Sequence, residues 1–340
     1  VNEMPLVTVV IATKDRHDDL AATVRDLCRQ DYPSLEMLVI DDGSASSVVQ
    51  IVKYCWPEAR VIRHEDSRGQ SARRNEGFRL ATGKYILQLD DDCSLVAADT
   101  IAMSVGYMEA TPSCAGIKYF IWVGKEMPRE LDTSHILSGN CLSYVGAAVF
   151  LRRAALEDTA GYRDFFVSYG EEEELCLQFL KRGWRISYRP ELIAHHRYSS
   201  QNRNNSSAWG RALRNNIWSI MIHCPLLRLP LEIGWKVALG AWDAFRLQRW
   251  RRFVEALAQT LRGASEMLKL RDPLDPLSLR RYDAFRAYQV LPYSVFENPP
   301  IQKWADFKHW AKRWPNRNRD SSFYSKRKDI GCEEVPHART

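Results

Sequence analysis

The 340 residues predict an α/β fold, a mostly parallel sheet flanked by helices, followed by a helical C-terminal extension. Three observations carry this. Short β-branched runs alternate with helical patterns through the first 100 residues. Two of these runs end in acidic turns, Asp41-Asp42 and Asp90-Asp91-Asp92, at the carboxyl ends of strands, where such sheets bind ligands. Beyond residue 206 the apolar spacing is helical.

Leu6–Ala12 (Leu-Val-Thr-Val-Val-Ile-Ala) has the composition of a strand buried on both faces. Asp18–Gln30 carries Leu20, Val24 and Leu27 at helical spacing and is stopped by Pro33. Glu36–Ile40 is a second strand, Ala45–Tyr54 a second helix and Ala59–Arg63 a short third strand. Ser71–Leu80 reads as a helix closed by Gly83, and Tyr85–Leu89 as a fourth strand running into Asp90. Helices on both faces of the sheet follow from this alternation. After residue 100 the pattern is mixed. Ala115–Val123, Gly146–Leu151, Trp184–Tyr188 and Glu191–His196 are strand-like, and Glu171–Lys181 is helical. Trp209–His223, Leu229–Phe245 and Arg251–Leu268 are helices. The chain divides into a domain over 1–205, with halves of about 1–100 and 101–205, and a helical region over 206–298. A basic, aromatic tail over 299–340 is expected to be loosely ordered.

Net charge is +6 but uneven: residues 1–200 carry −6 and residues 201–340 carry +12. Eight of eleven tryptophans also lie after residue 200. Such a region suits an anionic partner surface, a membrane face or an anionic glycan, and equally a solvated basic face. No nucleic-acid-binding motif accompanies it. The eight cysteines are scattered without metal-ligand spacing and read as reduced core thiols of a reducing compartment. The Asn204-Asn205-Ser206 triplet is then irrelevant as a glycosylation acceptor. Residues 1–12 lack the pattern of a signal peptide, and no apolar stretch reaches the ~18 residues of a spanning helix. A cytoplasmic location, soluble or peripheral at the inner membrane face, is the expectation.

Three adjacent carboxylates after an apolar strand repel one another, and a divalent cation relieves that repulsion. Residues i and i+2 of an extended segment point the same way, so Asp90 and Asp92 reach one cation while Asp91 is left for another task. Oxygen ligands suit Mg²⁺ or Mn²⁺ bridging to a diphosphate. Asp41-Asp42-Gly43-Ser44 offers carboxylates to a base imide or a ribose hydroxyl, with Ser44 positioned to cap the next helix; it is also good turn chemistry. Arg68, Ser71, Arg73 and Asn75 sit at a loop-to-helix junction suited to a diphosphate. Glu171-Glu172-Glu173-Glu174 exceeds what a helix dipole needs, so one of the four is a candidate general base. Of His195 and His196, neighbours on a strand, at most one faces the acidic cluster.

The ordered set of Thr13-Lys14-Asp15-Arg16, Tyr32-Pro33, Asp41-Asp42-Gly43-Ser44, Gly69–Asn75, Gly83-Lys84-Tyr85, Asp90-Asp91-Asp92, Gly146-Ala147-Ala148 and Tyr169-Gly170-Glu171-Glu172, continuing from Pro190 to His196, resembles the family-2 glycosyltransferases of GT-A fold over about residues 5–200. The resemblance implies an inverting, metal-dependent transfer from a nucleoside-diphosphate sugar, UDP- or dTDP-linked, to a glycan or lipid-linked acceptor. It implies that Asp41 and Asp42 hold the base or ribose and that Ala12, Thr13 and Arg16 line the nucleotide pocket. Asp90 and Asp91 then lie along the nucleotide-sugar, and Asp90 and Asp92 fall on the D-x-D positions. The family shows Glu-Asp before the helix, with the second member as base; here Glu172 stands there, with Glu171 beside it. Counted from Pro190, His196 falls on the metal-ligand position, with His195 next to it.

Two other classes compete. A catalytically inactive nucleotide-sugar- or glycan-binding protein finds support in Glu172 standing for Asp. A nucleotidyltransferase usually shows a Gly-rich loop after its first strand, which Thr13-Lys14-Asp15-Arg16 lacks. In the C-terminal region Trp235, Trp242 and Trp250, with Arg246, Arg249, Arg251 and Arg252, fit a helix lying on an anionic membrane face or one packed on the domain.

Overall fold

The computed structural model describes residues 4–128, 130–198, 208–287, 290–297 and 299. The Asn204-Asn205-Ser206 triplet and the tail from residue 300 lie outside them.

The first four strands form the predicted parallel unit: β1 (Val7–Thr13), α1 (His17–Leu27), β2 (Leu35–Asp41), α2 (Val49–Cys55), β3 (Arg60–Arg63), α3 (Gln70–Leu80) and β4 (Tyr85–Asp90). Val7, Val9, Val10 and Ile11 of β1 are fully buried, as a central strand covered on both faces requires. Strand order is β3-β2-β1-β4. The chain runs outward from β1 to β3, and α3 then carries it back to the other side of β1. That reversal opens a crevice at the carboxyl ends of β1 and β4. Register sets its walls: Ala12 lies beside Asp90 and Thr13 beside Asp41.

The second half adds β5 (Cys93–Leu95), α4 (Thr100–Ala110), β6 (Cys114–Val123), β7 (Gly139–Cys141), β8 (Ala148–Arg152), α5 (Arg153–Glu157), α6 (Glu171–Lys181) and β9 (Arg185–His196). β8 runs antiparallel to both β4 and β6, and β9 runs parallel to β6. β5 pairs antiparallel with the end of β9, setting Cys93 opposite His196. This short ladder ties the end of the acidic turn to the histidine.

Several expectations change. The two strands expected around Pro190 are one strand; its register on β6 jumps from Tyr119↔Arg189 to Phe120↔Ile193. Proline has no N–H to give the ladder, so the chain bulges there and pairing resumes beyond it. Helix α4 was not legible, because Thr100, Ser104 and Gly106 dilute its helical signal. Ser44 caps no helix: α2 starts at Val49, and Ser44 instead receives the Asp15 N–H on Oγ and donates its own N–H to Asp41 Oδ1, each at 2.9 Å.

After β9 come α7 (Ala208–His223), α8 (Leu229–Arg246), α9 (Trp250–Lys269), α10 (Pro276–Ala287), β10 (Val290–Leu291) and α11 (Tyr293–Glu297). The region is not purely helical, since β10 pairs with β7 and joins the main sheet. Phe166, from the loop before α6, shares a core with Ile217, Trp218 and Ile222 of α7, Ala244 of α8 and Phe253 of α9. Asn215 of α7 donates to the carbonyls of Phe166, Ser168 and Tyr169, and His223 Nε2 lies 2.9 Å from buried Glu174. The helical region thus holds α6 and the loop before it in place.

Candidate active site

The acidic turn comes first. Asp92 is fully buried and His196 nearly so, with His196 Nε2 3.0 Å from Asp92 Oδ1. Ligand atoms of Asp90, Asp92 and His196 all lie within 4.8 Å of one another. Two carboxylates and one imidazole form a donor set that fits Mn²⁺, and Mg²⁺ through its oxygens. His195 points the other way, to the Gly124 carbonyl at 2.7 Å, and does not join them. Alternation along β9 decides between the two histidines.

Asp91 is held within the protein. Thr13 Oγ1 donates to it at 2.7 Å and Arg16 Nη1 at 3.0 Å. Burial pushes its carboxyl up to about 7, Arg16 opposing and Asp92 adding to the rise. Thr13 and Arg16 therefore hold the turn itself, and Arg16 also lies 3.4 Å from Asp92.

The two residues after β2 divide their labour. Asp41 is buried; its Oδ1 accepts the Ser44 N–H, and its Oδ2 carries no hydrogen bond, with Arg63 Nε 3.9 Å away. Asp42 is consumed by the protein. Its carboxylate accepts the N–H groups of Arg68 and Gly69, the Ser67 hydroxyl and Arg73 Nε at 2.6–2.9 Å. Burial would raise its pKa, but these donors outweigh burial and hold it below the ordinary carboxylate range. The carboxylate expected to contact base or ribose here anchors the loop leading into α3.

Three residues of α3 are likewise engaged within the protein. Arg73 is spent on Asp42, Glu76 and the Asp66 carbonyl. Ser71 donates to the Val167 carbonyl at 3.1 Å. Asn75 exchanges hydrogen bonds with the Tyr162 backbone and also donates to Asp164. All three fasten α3 to neighbouring segments. Arg68 stays exposed at the entrance to α3, and Ala12 borders the crevice through β1.

Arg74 is the residue the sequence reasoning missed. It is 1% exposed and donates to Asp90 Oδ1 at 2.6 Å and to the Gly146 carbonyl at 2.9 Å. Its Nη1 lies 4.0 Å from Glu171 and 3.9 Å from Glu172. Burial disfavours its charge, yet Asp90, Tyr162 and the glutamates keep it firmly protonated. A signal was present: adjacent residues on a helix point ~100° apart, so Arg73 and Arg74 cannot do the same work. Gly146 lets the groups meet, since a Cβ there would fall 2.7 Å from Arg74 Nη1 and closer still to Glu172 Oε1.

Glu171 and Glu172 open α6 after Gly170, whose φ of +98° suits only glycine comfortably. Burial and the neighbouring Glu172 charge push Glu171 up to about 8, against the pull of Arg74. Burial also raises Glu172, with Arg74 again opposing. Near neutrality Glu171 therefore holds a proton beside Glu172, the more exposed of the two. Arg74 therefore joins the cation-type cluster to a carboxyl pair able to take up a proton.

Comparison with known proteins agrees with this arrangement. The profile of Glycosyl transferase family 2 matches residues 8–159. The pre-mycofactocin glycosyltransferase of Mycobacterium tuberculosis is 27% identical over 214 residues, covering 58% of this chain and 44% of that protein. The chain thus spans less than half of that relative's own length. The uncharacterized glycosyltransferase YibD of Escherichia coli is 34% identical over 95 residues, 27% of each chain. Among solved structures, the mannosyltransferase PcManGT from Pyrobaculum calidifontis, in complex with GDP-Man and Mn²⁺, has a TM-score of 0.53 at 17% identity, covering 92% of this chain and 87% of that one. S. aureus TarS 1–349 in complex with UDP-GlcNAc has a TM-score of 0.57 at 13% identity, covering 92% of both. The structural likeness establishes the fold alone. Residues 8–159, which carry the ordered turns, thus match glycosyl transferase family 2, and the sheet that gathers those turns has the GT-A fold.

Proposed function

We propose that this chain transfers a sugar from a nucleoside-diphosphate sugar to an acceptor hydroxyl with inversion, in polysaccharide or glycoconjugate synthesis. The observation that carries the reading is the joining of two groups through Arg74: the Asp90–Asp92–His196 cluster and the Glu171–Glu172 pair. The donor favoured is UDP- or dTDP-linked, with Asp41 Oδ2 as the acceptor for a base imide N–H. Arg68 at the entrance to α3 suits the diphosphate.

Asp90, Asp92 and His196 would hold Mn²⁺ or Mg²⁺, which when bound stabilises charge on a leaving diphosphate. Glu172 accepts the proton of the acceptor hydroxyl as that oxygen attacks the anomeric carbon from the face opposite the phosphate. Glu171, protonated, remains beside it as the neutral partner of the pair. Arg74 keeps Asp90 and the pair in fixed relation. The acceptor is a glycan, free or lipid-linked, and the location cytoplasmic.

Turnover of a nucleotide-sugar panel with and without Mn²⁺, on wild type and Glu172→Gln, tests this. The variant should lose roughly 10²–10⁴ in kcat with donor affinity little changed. Near-normal turnover by Glu172→Gln would remove Glu172 as the base, and no transfer or donor hydrolysis by wild type with any donor would remove the enzymatic reading.

A further inference from the structure

We propose that the outer faces of α8 and α9 form a docking surface for an anionic phospholipid layer. Eleven of the twenty exposed large hydrophobic side chains among the described residues fall within residues 226–270. They are ordered rather than scattered. On and just before α8, Leu227, Leu231, Gly234, Ala238, Trp242 and Phe245 follow one another at helical steps of three or four residues, and all are exposed. Leu227 is 95% exposed and Trp242 58%, while the charged side of the same helix is engaged elsewhere: Glu232 accepts from Arg286 of α10. On α9, Trp250, Val254, Leu261 and Leu268 form a second exposed row beside the buried Phe253, Ala256, Thr260 and Met267. Each helix therefore has an apolar sector wider than its neighbours in the chain cover. Helices with an apolar face, basic flanks and aromatic anchors are the kind that lie in a membrane interface.

Charge selects the occupant. Residues 226–270 contain eight Lys/Arg against four Asp/Glu. Glu255 and Glu266 are already paired with Arg251, Arg252 and Lys269, whereas Arg249 and Arg262 have no ion pair among the described residues. Two copies of this net-cationic face would repel each other, while an anionic lipid surface attracts it. No described helix is long and apolar enough to cross a membrane, so the contact is a surface one. Trp235 and Arg252, which the sequence grouped with this surface, are only partly exposed, and Arg252 is engaged by Glu255. The inference rests on exposure and charge, independently of the transfer chemistry.

The test is flotation of the full chain with phosphatidylcholine vesicles containing 30% phosphatidylglycerol, compared with phosphatidylcholine alone, at low salt. Binding is expected on the anionic vesicles. Arg246→Gln, Arg249→Gln and Arg262→Gln together should weaken it roughly hundredfold, at about 1 kcal/mol per charge near the surface. Leu231→Ser with Leu261→Ser should weaken it at least ~10-fold. These side chains are exposed, so unfolding melts should match wild type. Equal binding to neutral vesicles, full retention by either variant set, or dimerisation that the Leu231→Ser/Leu261→Ser variant abolishes would overturn the proposal.

Discussion

Glu171→Gln should make the protein more stable in alkali, in contrast to the loss usual when a buried charged side chain is replaced. Glu171 is 2% exposed, and burial together with Glu172 pushes its pKa up to about 8, from 4.5 for an ordinary glutamate. A carboxyl with a raised native pKa contributes stability that is fully present below 4.5 and is lost as pH rises through 8. Between pH 5.5 and about 8 the unfolded chain is ionised at this position while the native one is still protonated, so at about 1.4 kcal/mol per pH unit wild type loses about 3 kcal/mol through this group. Glutamine is neutral and nearly the same shape, and it escapes that loss. Urea unfolding of both proteins at pH 5.5 and pH 9 reads the effect of the pair, because the titrating groups outside it are common to both. Between pH 5.5 and pH 9 the variant should gain about 3 kcal/mol on wild type. Should the difference between the two proteins be the same at both pH values, Glu171 does not hold a proton in the native state.

Further outcomes follow from the same geometry. Arg74→Met leaves Asp90 and the glutamate pair without their common cation and should cost about 3–5 kcal/mol of stability, read by urea unfolding at neutral pH. Gly146→Ala drives a Cβ against Arg74 and Glu172 and should depress turnover with little change in donor affinity, measured by steady-state kinetics beside donor titration. His196→Ala should abolish tight Mn²⁺ binding, whereas His195→Ala should preserve it; calorimetric titration of Mn²⁺ into each variant separates them.

Much of the fold was readable from local pattern. The parallel unit from β1 to β4 announces itself through β-branched runs, because a strand covered on both faces must be apolar throughout. The acidic turns after β2 and β4 were visible as charges at strand ends, and the topological rule placed them in one crevice before any coordinates. Helix α6 was predicted residue for residue, since its acidic first turn and apolar following residues mark both its start and its buried side. What stayed hidden lies where pattern is weak or contacts are distant: α4, the two-residue strand β10, and the single bulged strand through Pro190.

Residue types and their order along the chain determined that carboxylates, arginines and a histidine pair would cluster at strand ends. Only the tertiary structure decided which member of each adjacent pair does what. Asp41 keeps an oxygen without a hydrogen bond while Asp42 is saturated by loop donors; Arg73 anchors that loop while Arg74 bridges two acidic groups; His196 faces Asp92 while His195 faces a carbonyl. Neighbours in sequence have the same chemistry but point in different directions, and direction is set by strand register and helix packing against distant parts of the chain. That is why composition and spacing locate the site, while the division of roles within it is a property of the fold.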